Sequence, residues 1–257
     1  MGFENITVRV ENQVGWLEYN RAPVNAVNWE MLKELPKACQ NLIEDDQVRV
    51  IVFASALEKY FSTGADLQVF AEIDAKGMRE WMTIVHTLVK TLRASPKPLL
   101  AAIHGTAVGL GAELVMHCDQ RFAASNARFG QPEININMVP GVGTTQSLAR
   151  LLGRTKAIRF LYDGAMISAQ EAHAIGMVDE IVDPGELRET VQRYGETLAS
   201  KPSESLAAIR PTITSGMDLP FDEGLEIEFE TIVELVQTAN FKEGINAFLE
   251  KRDPKWK

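Results

Sequence analysis

An α/β fold that gives way to an all-α C-terminal region is predicted by two features of the chain. Apolar or alternating strands interleave with helices of 3.6-residue periodicity as far as Val182, and from Leu187 onward only helical patterns remain. The change of texture near residue 200 divides the chain into 1–200 and 201–257. A third feature organises the first part. The buried-strand pattern Leu99–Ile103 breaks at His104-Gly105, passes Gly109-Leu110-Gly111, and becomes helical at Ala112–Met116. A strand that empties through glycines into a helix presents free N–H groups at the positive end of a helix dipole, a place that stabilises negative charge.

In chain order, Ile6–Val10 and Val14–Tyr19 alternate and flank Glu11-Asn12-Gln13, which predicts a hairpin. Pro23 ends the second strand or lies just beyond it. Asn28 is the expected N-cap of a helix carrying Met31, Leu32, Leu35, Ala38, Cys39 and Leu42 on one face, with Pro36 expected to kink it or to mark its first turn. Val48–Phe53 is a continuous apolar strand, and Lys59–Leu67 a loop bending at Gly64. Trp81, Ile84, Val85, Leu88 and Leu92 make the apolar face of a helix that ends before Pro96, and Trp81 and Met82 read first as core. Arg121–Ala124 and Ala127–Phe129 are short strands, Val139–Gly143 a turn and Thr144–Leu152 a helix. Ser168 caps a helix through Ala174, with Glu171 at the capping-box position. Gly176 stops it, Val178–Val182 is a strand, and the later helices are expected to be interrupted at Pro202, Pro211 and Pro220.

With 46% apolar and 24% charged residues the chain has ordinary globular composition, and its net charge of −9 argues against nucleic-acid binding. Cys39 and Cys118 lack metal-ligand spacing and read as reduced core thiols. The four histidines, His86, His104, His117 and His173, read as packed or surface residues rather than ligands, and no metal is expected. No basic-then-apolar leader and no apolar run near the ~18 residues of a membrane span are found, so a cytoplasmic protein without membrane contact is expected. Gly105–Gly111 lacks dinucleotide-binding spacing, Pro140–Thr145 lacks a P-loop lysine, and no serine sits in GxSxG.

Two carboxylates remain near the central segment. Glu113 falls in the first helical turn and Glu133 follows Phe129-Gly130-Gln131-Pro132. Alone, the first reads as a dipole-complementing acid and the second as a loop acid. Together they point to an enzyme that handles an enolate-like species.

Several long stretches resemble the crotonase (enoyl-CoA hydratase/isomerase) superfamily, in its order and over nearly the whole chain. They are FSTGAD at 61–66, HGTAVGLGAELVMHCDQRFAASNARFGQPEI at 104–134, PGVGTTQSLARLLGRTKA at 140–157, GAMISAQEAHAIGMVDEIV at 164–182 and KEGINAFLEKR at 242–252. The resemblance implies a crotonase-like spiral of ββα repeats, a C-terminal helical region that trimerises, and a coenzyme A thioester as substrate, with no separate cofactor. It implies Glu113 and Glu133 as the catalytic pair and the backbone N–H groups of Ala65 and Leu110 as the oxyanion hole. For coenzyme A it points to Lys59, Phe61, Thr63, Ala65, Asp66, Leu67, Phe248 and Lys251, and for the acyl group to Trp81, Pro140 and Gly141. Leu110, Asn137 and Thr144 stand where that family often has glycine. Two glutamates favour an enoyl-CoA hydratase. The alternatives are a Δ3,Δ2-enoyl-CoA isomerase using Glu133, or a non-catalytic acyl-CoA binder.

Overall fold

The computed structural model describes residues 2–256. Strands β1 (Ile6–Glu11) and β2 (Val14–Tyr19) pair antiparallel. Asn12 and Gln13 both adopt positive φ, the two-residue turn whose twist suits a hairpin. Helix α1 (Trp29–Glu44) starts where Asn28 accepts from the Met31 N–H at 3.0 Å and buries the predicted face. It runs on through Pro36, its eighth residue, so that proline does not mark the first turn.

Then come β3 (Val50–Ser55), β4 (Tyr60–Ser62), α2 (Leu67–Ala71), α3 (Ala75–Ala94), β5 (Leu99–Ile103), β6 (Thr106–Val108), α4 (Leu110–Val115), β7 (Gln120–Ala124) and β8 (Arg128–Gly130). A 3-10 turn at Pro132–Ile136 leads to α5 (Thr144–Leu152), α6 (Arg154–Asp163), β9 (Met166–Ser168), α7 (Ala169–Ile175) and β10 (Glu180–Val182). The Ser168–Glu171 capping box is present.

From β3 to β8 consecutive strands go to different sheets. One sheet has the order β1-β2-β3-β5-β7-β10 and the other β4-β6-β8-β9. Neighbours from β2 to β10 and from β4 to β8 are parallel, while β9 closes the second sheet antiparallel. Each ββα turn therefore lays one strand in each sheet and winds the chain forward, a spiral that matches the expected crotonase-like architecture. Every residue of β2, β3 and β5 is buried, which is why β3 and β5 read as continuous apolar runs, while β2, expected to alternate, is buried on both faces as well.

Helices α8 (Leu187–Ala199), α9 (Ser203–Gly216), α10 (Phe221–Leu235) and α11 (Ala239–Glu250) complete the chain. Pro211 does not interrupt them. It sits inside α9, where it forfeits the bond to the Ala207 carbonyl, but the preceding Arg210 ties that turn to the core. The Arg210 guanidinium, only 7% exposed, donates to Asp119 at 2.8 Å and to the carbonyls of Arg93, Ser95 and His117. Asn137, at φ 59°, closes the 3-10 turn in the left-handed region, a conformation asparagine shares with glycine. No helix among the described residues is long and apolar enough to cross a membrane.

Candidate active site

A cavity of about 300 Å3 opens between α3, the start of α4 and the segment Pro132–Val142. One wall is backbone. Val27 bridges the loop after β4: its N–H donates to the Gly64 carbonyl and its carbonyl accepts from the Asp66 N–H, both at 2.8 Å. The N–H of Ala65, between those two, consequently points the opposite way. Leu110 is the first residue of α4, so its N–H has no intrahelical acceptor. A methyl on Gly64 would stand 3.3 Å from the Leu110 nitrogen, so the two loops are in contact. Gly109, which turns the chain into α4, takes φ 51° and ψ −132°, a conformation open to glycine without strain. A methyl there would lie 2.9 Å from Glu133 Oε1.

The two carboxylates complete the site. Glu113 is 3% exposed, and its Oε2 accepts the Val142 N–H at 2.8 Å. Burial pushes its pKa up to about 7, and the neighbouring Glu133 charge adds to that. Burial also raises Glu133 above the usual carboxylate range. One end of the Gln131 amide faces Glu133, 3.1 Å and 3.2 Å from its two oxygens. With nitrogen turned inward both ends of the amide are satisfied and it holds the ionised carboxylate. With oxygen inward the amide nitrogen would face only donors, so the nitrogen-inward orientation is the satisfied one.

The Val142 loop is braced from behind. His117 Nε2 lies 2.7 Å from the Val142 carbonyl and His86 Nε2 3.1 Å from the Gly141 carbonyl. Burial lowers the His117 pKa, so the neutral ring donates. His104 and His173 likewise meet the carbonyls of Leu57 and Val178, and all four histidines hold backbone. Among the described residues no group of three or more His, Cys, Asp or Glu side chains is arranged around a metal site. Cys39 and Cys118 are free and buried, with both thiol pKa values raised by burial.

Of the residues singled out in the sequence, Glu113, Glu133, Thr63, Ala65, Leu67, Leu110, Trp81 and Gly141 line the cavity. Trp81 is 2% exposed and stacks edge-on with Trp29 and Phe70, so it is core and cavity wall at once. Two further residues lie off the cavity. The Phe61 ring is fully buried edge-on against Tyr19, inside the core rather than on a surface open to coenzyme A. Pro140 is buried outside the lining, because the turn offers Gly141 and Val142 to the cavity instead. Asp66 caps α2 and pairs with Arg21 at 3.1 Å. Lys59 is exposed before β4, whereas Phe248 and Lys251 lie at the end of α11 and do not line this cavity. Sequence reasoning missed Gln131, Met78, Met82, Val85 and Met138. Met78, Trp81, Met82 and Val85 recur at one-turn spacing, which marks one apolar face of α3 without telling cavity wall from core.

The buried carboxylate makes stability depend on pH. A carboxyl whose folded pKa is raised favours the fold below about pH 4.5, and that contribution is lost as pH rises through about 7. The loss amounts to about 3 kcal/mol. Glu113→Gln is therefore expected to melt several degrees above wild type at pH 8 and level with it at pH 4.5, as read by calorimetry. Equal melting temperatures at pH 8 would contradict the assigned burial effect.

The two-sheet ββα spiral with helices appended at its C-terminal end defines a crotonase-type protein. The chain belongs to the enoyl-CoA hydratase/isomerase family, whose sequence profile matches residues 9–257. It is 36% identical to a crotonyl-CoA hydratase of Syntrophomonas wolfei, over 98% of this chain and 97% of that one. It is 34% identical, with the same coverage, to a short-chain-enoyl-CoA hydratase of Clostridium acetobutylicum. The solved enoyl-CoA hydratase of Bacillus anthracis superposes with a TM-score of 0.94 at 33% identity, covering 99% of each chain.

Proposed function

We propose that this protein is an enoyl-CoA hydratase, a hydro-lyase that adds water reversibly across the 2,3 double bond of an acyl-CoA thioester. The observation that carries the reading is the pair of raised-pKa carboxylates, Glu113 and Glu133, beside backbone N–H groups without an intrahelical acceptor at the start of α4. In this reading the thioester oxygen sits between the N–H groups of Ala65 and Leu110. One carboxylate takes a proton from water as its oxygen bonds to C3. The electron pair of the double bond moves to an enolate held by the two N–H groups, and the second carboxyl delivers its proton to C2. Donors aimed at a charge that develops only in the transition state contribute a few kcal/mol. A protein that only bound acyl-CoA would have no need of two acids with raised pKa values at that place.

The acyl group is a hydrocarbon tail. Met78, Trp81, Met82 and Val85 span two turns of α3, about 10 Å, and Phe70, Ile136, Met138 and Val139 face them, which suits alkyl or aryl carbon rather than a charged end. A panel of crotonyl, longer-chain and aromatic 2-enoyl-CoA thioesters, followed by loss of the conjugated thioester absorbance, tests the reading. Hydration of at least one is expected. Failure with all of them, alongside isomerisation of 3-enoyl-CoA, would reassign the protein as an isomerase.

The phosphates of coenzyme A need local cations in so acidic a chain. Lys59 and Lys251 serve there, with Phe248, 82% exposed, packing on the adenine, in part from a neighbouring subunit. The reading includes assembly as a trimer or a dimer of trimers, supported by the exposed apolar side chains Phe221, Leu225, Phe229, Ile232 and Leu249 on α10 and α11. Light scattering at micromolar concentration is expected to give three or six times the 28.5 kDa chain mass, and a monomer would overturn this assembly.

A further inference from the structure

One buried polar group beside the carboxylates has no partner that meets hydrogen-bond geometry. Thr144, the first residue of α5, is 0% exposed, and its hydroxyl has no acceptor in such geometry among the described residues. As the first residue of α5, Thr144 has no helical carbonyl four residues back to which its hydroxyl could return. Burying an unpaired hydroxyl costs about 1–3 kcal/mol, so the group calls for another acceptor. The acceptor at hand is the Glu113 carboxylate. Val142, two residues before Thr144, already donates its N–H to Glu113 Oε2 at 2.8 Å. The Thr144 hydroxyl is also among the groups near enough to Glu113 to draw its pKa down against the effect of burial.

We propose that Thr144 is a positioning residue: its hydroxyl rotates to donate to the Glu113 carboxylate, holding Glu113 as the ionised, water-activating member of the pair. The inference rests on the hydratase reading for its catalytic consequence but not for the hydrogen bond itself. Around Glu113 the facing ionisable group is Glu133, from the 3-10 turn. His117 behind α4 and His86 on α3 touch the same loop through the carbonyls of Val142 and Gly141. The hydroxyl therefore opposes both burial and the Glu133 charge. It acts together with the Val142 N–H and leaves the other carboxyl as the proton carrier.

Three substitutions separate the hydrogen bond from packing. Thr144→Val keeps the shape and removes the hydroxyl, Thr144→Ala removes it from a smaller side chain that is easily accommodated, and Thr144→Ser restores it. The acidic limb of kcat/KM for hydration is expected to move up by about one pH unit in the valine and alanine variants, and to stay within about 0.3 unit of wild type in the serine variant, since a hydrogen bond to a charged group is worth roughly a factor of ten or more. Well above the limb, the hydroxyl-free variants are expected to recover most of their rate. A readout independent of turnover is the infrared carbonyl band of protonated Glu113, identified by its disappearance in Glu113→Gln. Its titration is expected to shift upward by the same amount in Thr144→Val and Thr144→Ala alone. Equal shifts in all three variants, or none in any, would overturn the proposal. An infrared shift in an enzyme that hydrates nothing would keep the hydrogen bond and discard the hydratase reading. Hydration with an unmoved band would do the reverse.

Discussion

Glu113→Gln and Glu133→Gln are each expected to lower kcat for hydration by about 10²–10⁴-fold, the usual contribution of a positioned acid or base. The double variant should be scarcely slower than either single one, because in the proposed mechanism the two groups act on one water and one developing enolate as a unit. Geometry makes the losses specific. Glutamine at 113 can still accept the Val142 N–H that Oε2 receives now, and at 133 its amide can still meet Gln131, so local structure persists while proton transfer does not. The backbone wall at Ala65 and Leu110 is untouched, so the KM of the thioester should change far less than kcat. Circular dichroism and quaternary structure should match wild type. An isomerase predicts another pattern, with 3-enoyl-CoA turnover abolished by Glu133→Gln and largely spared by Glu113→Gln. That outcome, in an enzyme that hydrates no 2-enoyl-CoA, would reduce Glu113 to a structural acid.

The first layer of this architecture was readable because β2, β3 and β5 are buried on both faces, and α1 and α3 carry apolar stripes bounded by side-chain caps. The second sheet was less readable. Its members β4, β6, β8 and β9 have three residues each, too few to establish a period, and only family resemblance pointed to a spiral. Pro211 shows a tertiary anchor, Arg210, overriding a local breaker. At the site, Glu113 was legible as a first-turn acid beside glycines, but nothing local said that Val142, twenty-nine residues on, would supply its donor. The burial of Phe61 was not legible, because an aromatic next to a loop and an aromatic under it look alike in sequence. The burial of its ring against Tyr19 is settled by the pairing of the sheets. The face of α3 that turns Met78 and Met82 to the cavity was equally hidden, since a cavity wall and a core face share one helical period.

Gly111→Ala is expected to lower kcat by about 10²–10³-fold, the cost of losing one well-placed oxyanion donor, and to destabilise the fold by roughly 1–3 kcal/mol. The cause is the close approach of α4 to β4. A methyl on Gly111 would lie 2.3 Å from the Ser62 Cβ and 2.6 Å from its Oγ, far inside van der Waals contact. Ser62 has no room to yield: it is fully buried, its hydroxyl donates to the Asn25 carbonyl at 2.7 Å and it accepts the Gly64 N–H at 3.2 Å. Relief must therefore come from α4 moving off β4. That motion carries the Leu110 N–H at the head of α4 away from the Ala65 N–H in the loop after β4, so that in the proposed mechanism the two donors cease to converge on one oxygen. The effect should fall on kcat more than on KM, because those donors gain strength as charge develops. Ser62→Gly in the same chain removes the two short contacts, leaving only the Ser62 Cα at 3.3 Å, and should return much of the lost rate. If Gly111→Ala turns over at the wild-type rate, the contact between α4 and β4 does not set the spacing of the donors. If Ser62→Gly fails to rescue a folded Gly111→Ala enzyme, the loss has another origin than this clash.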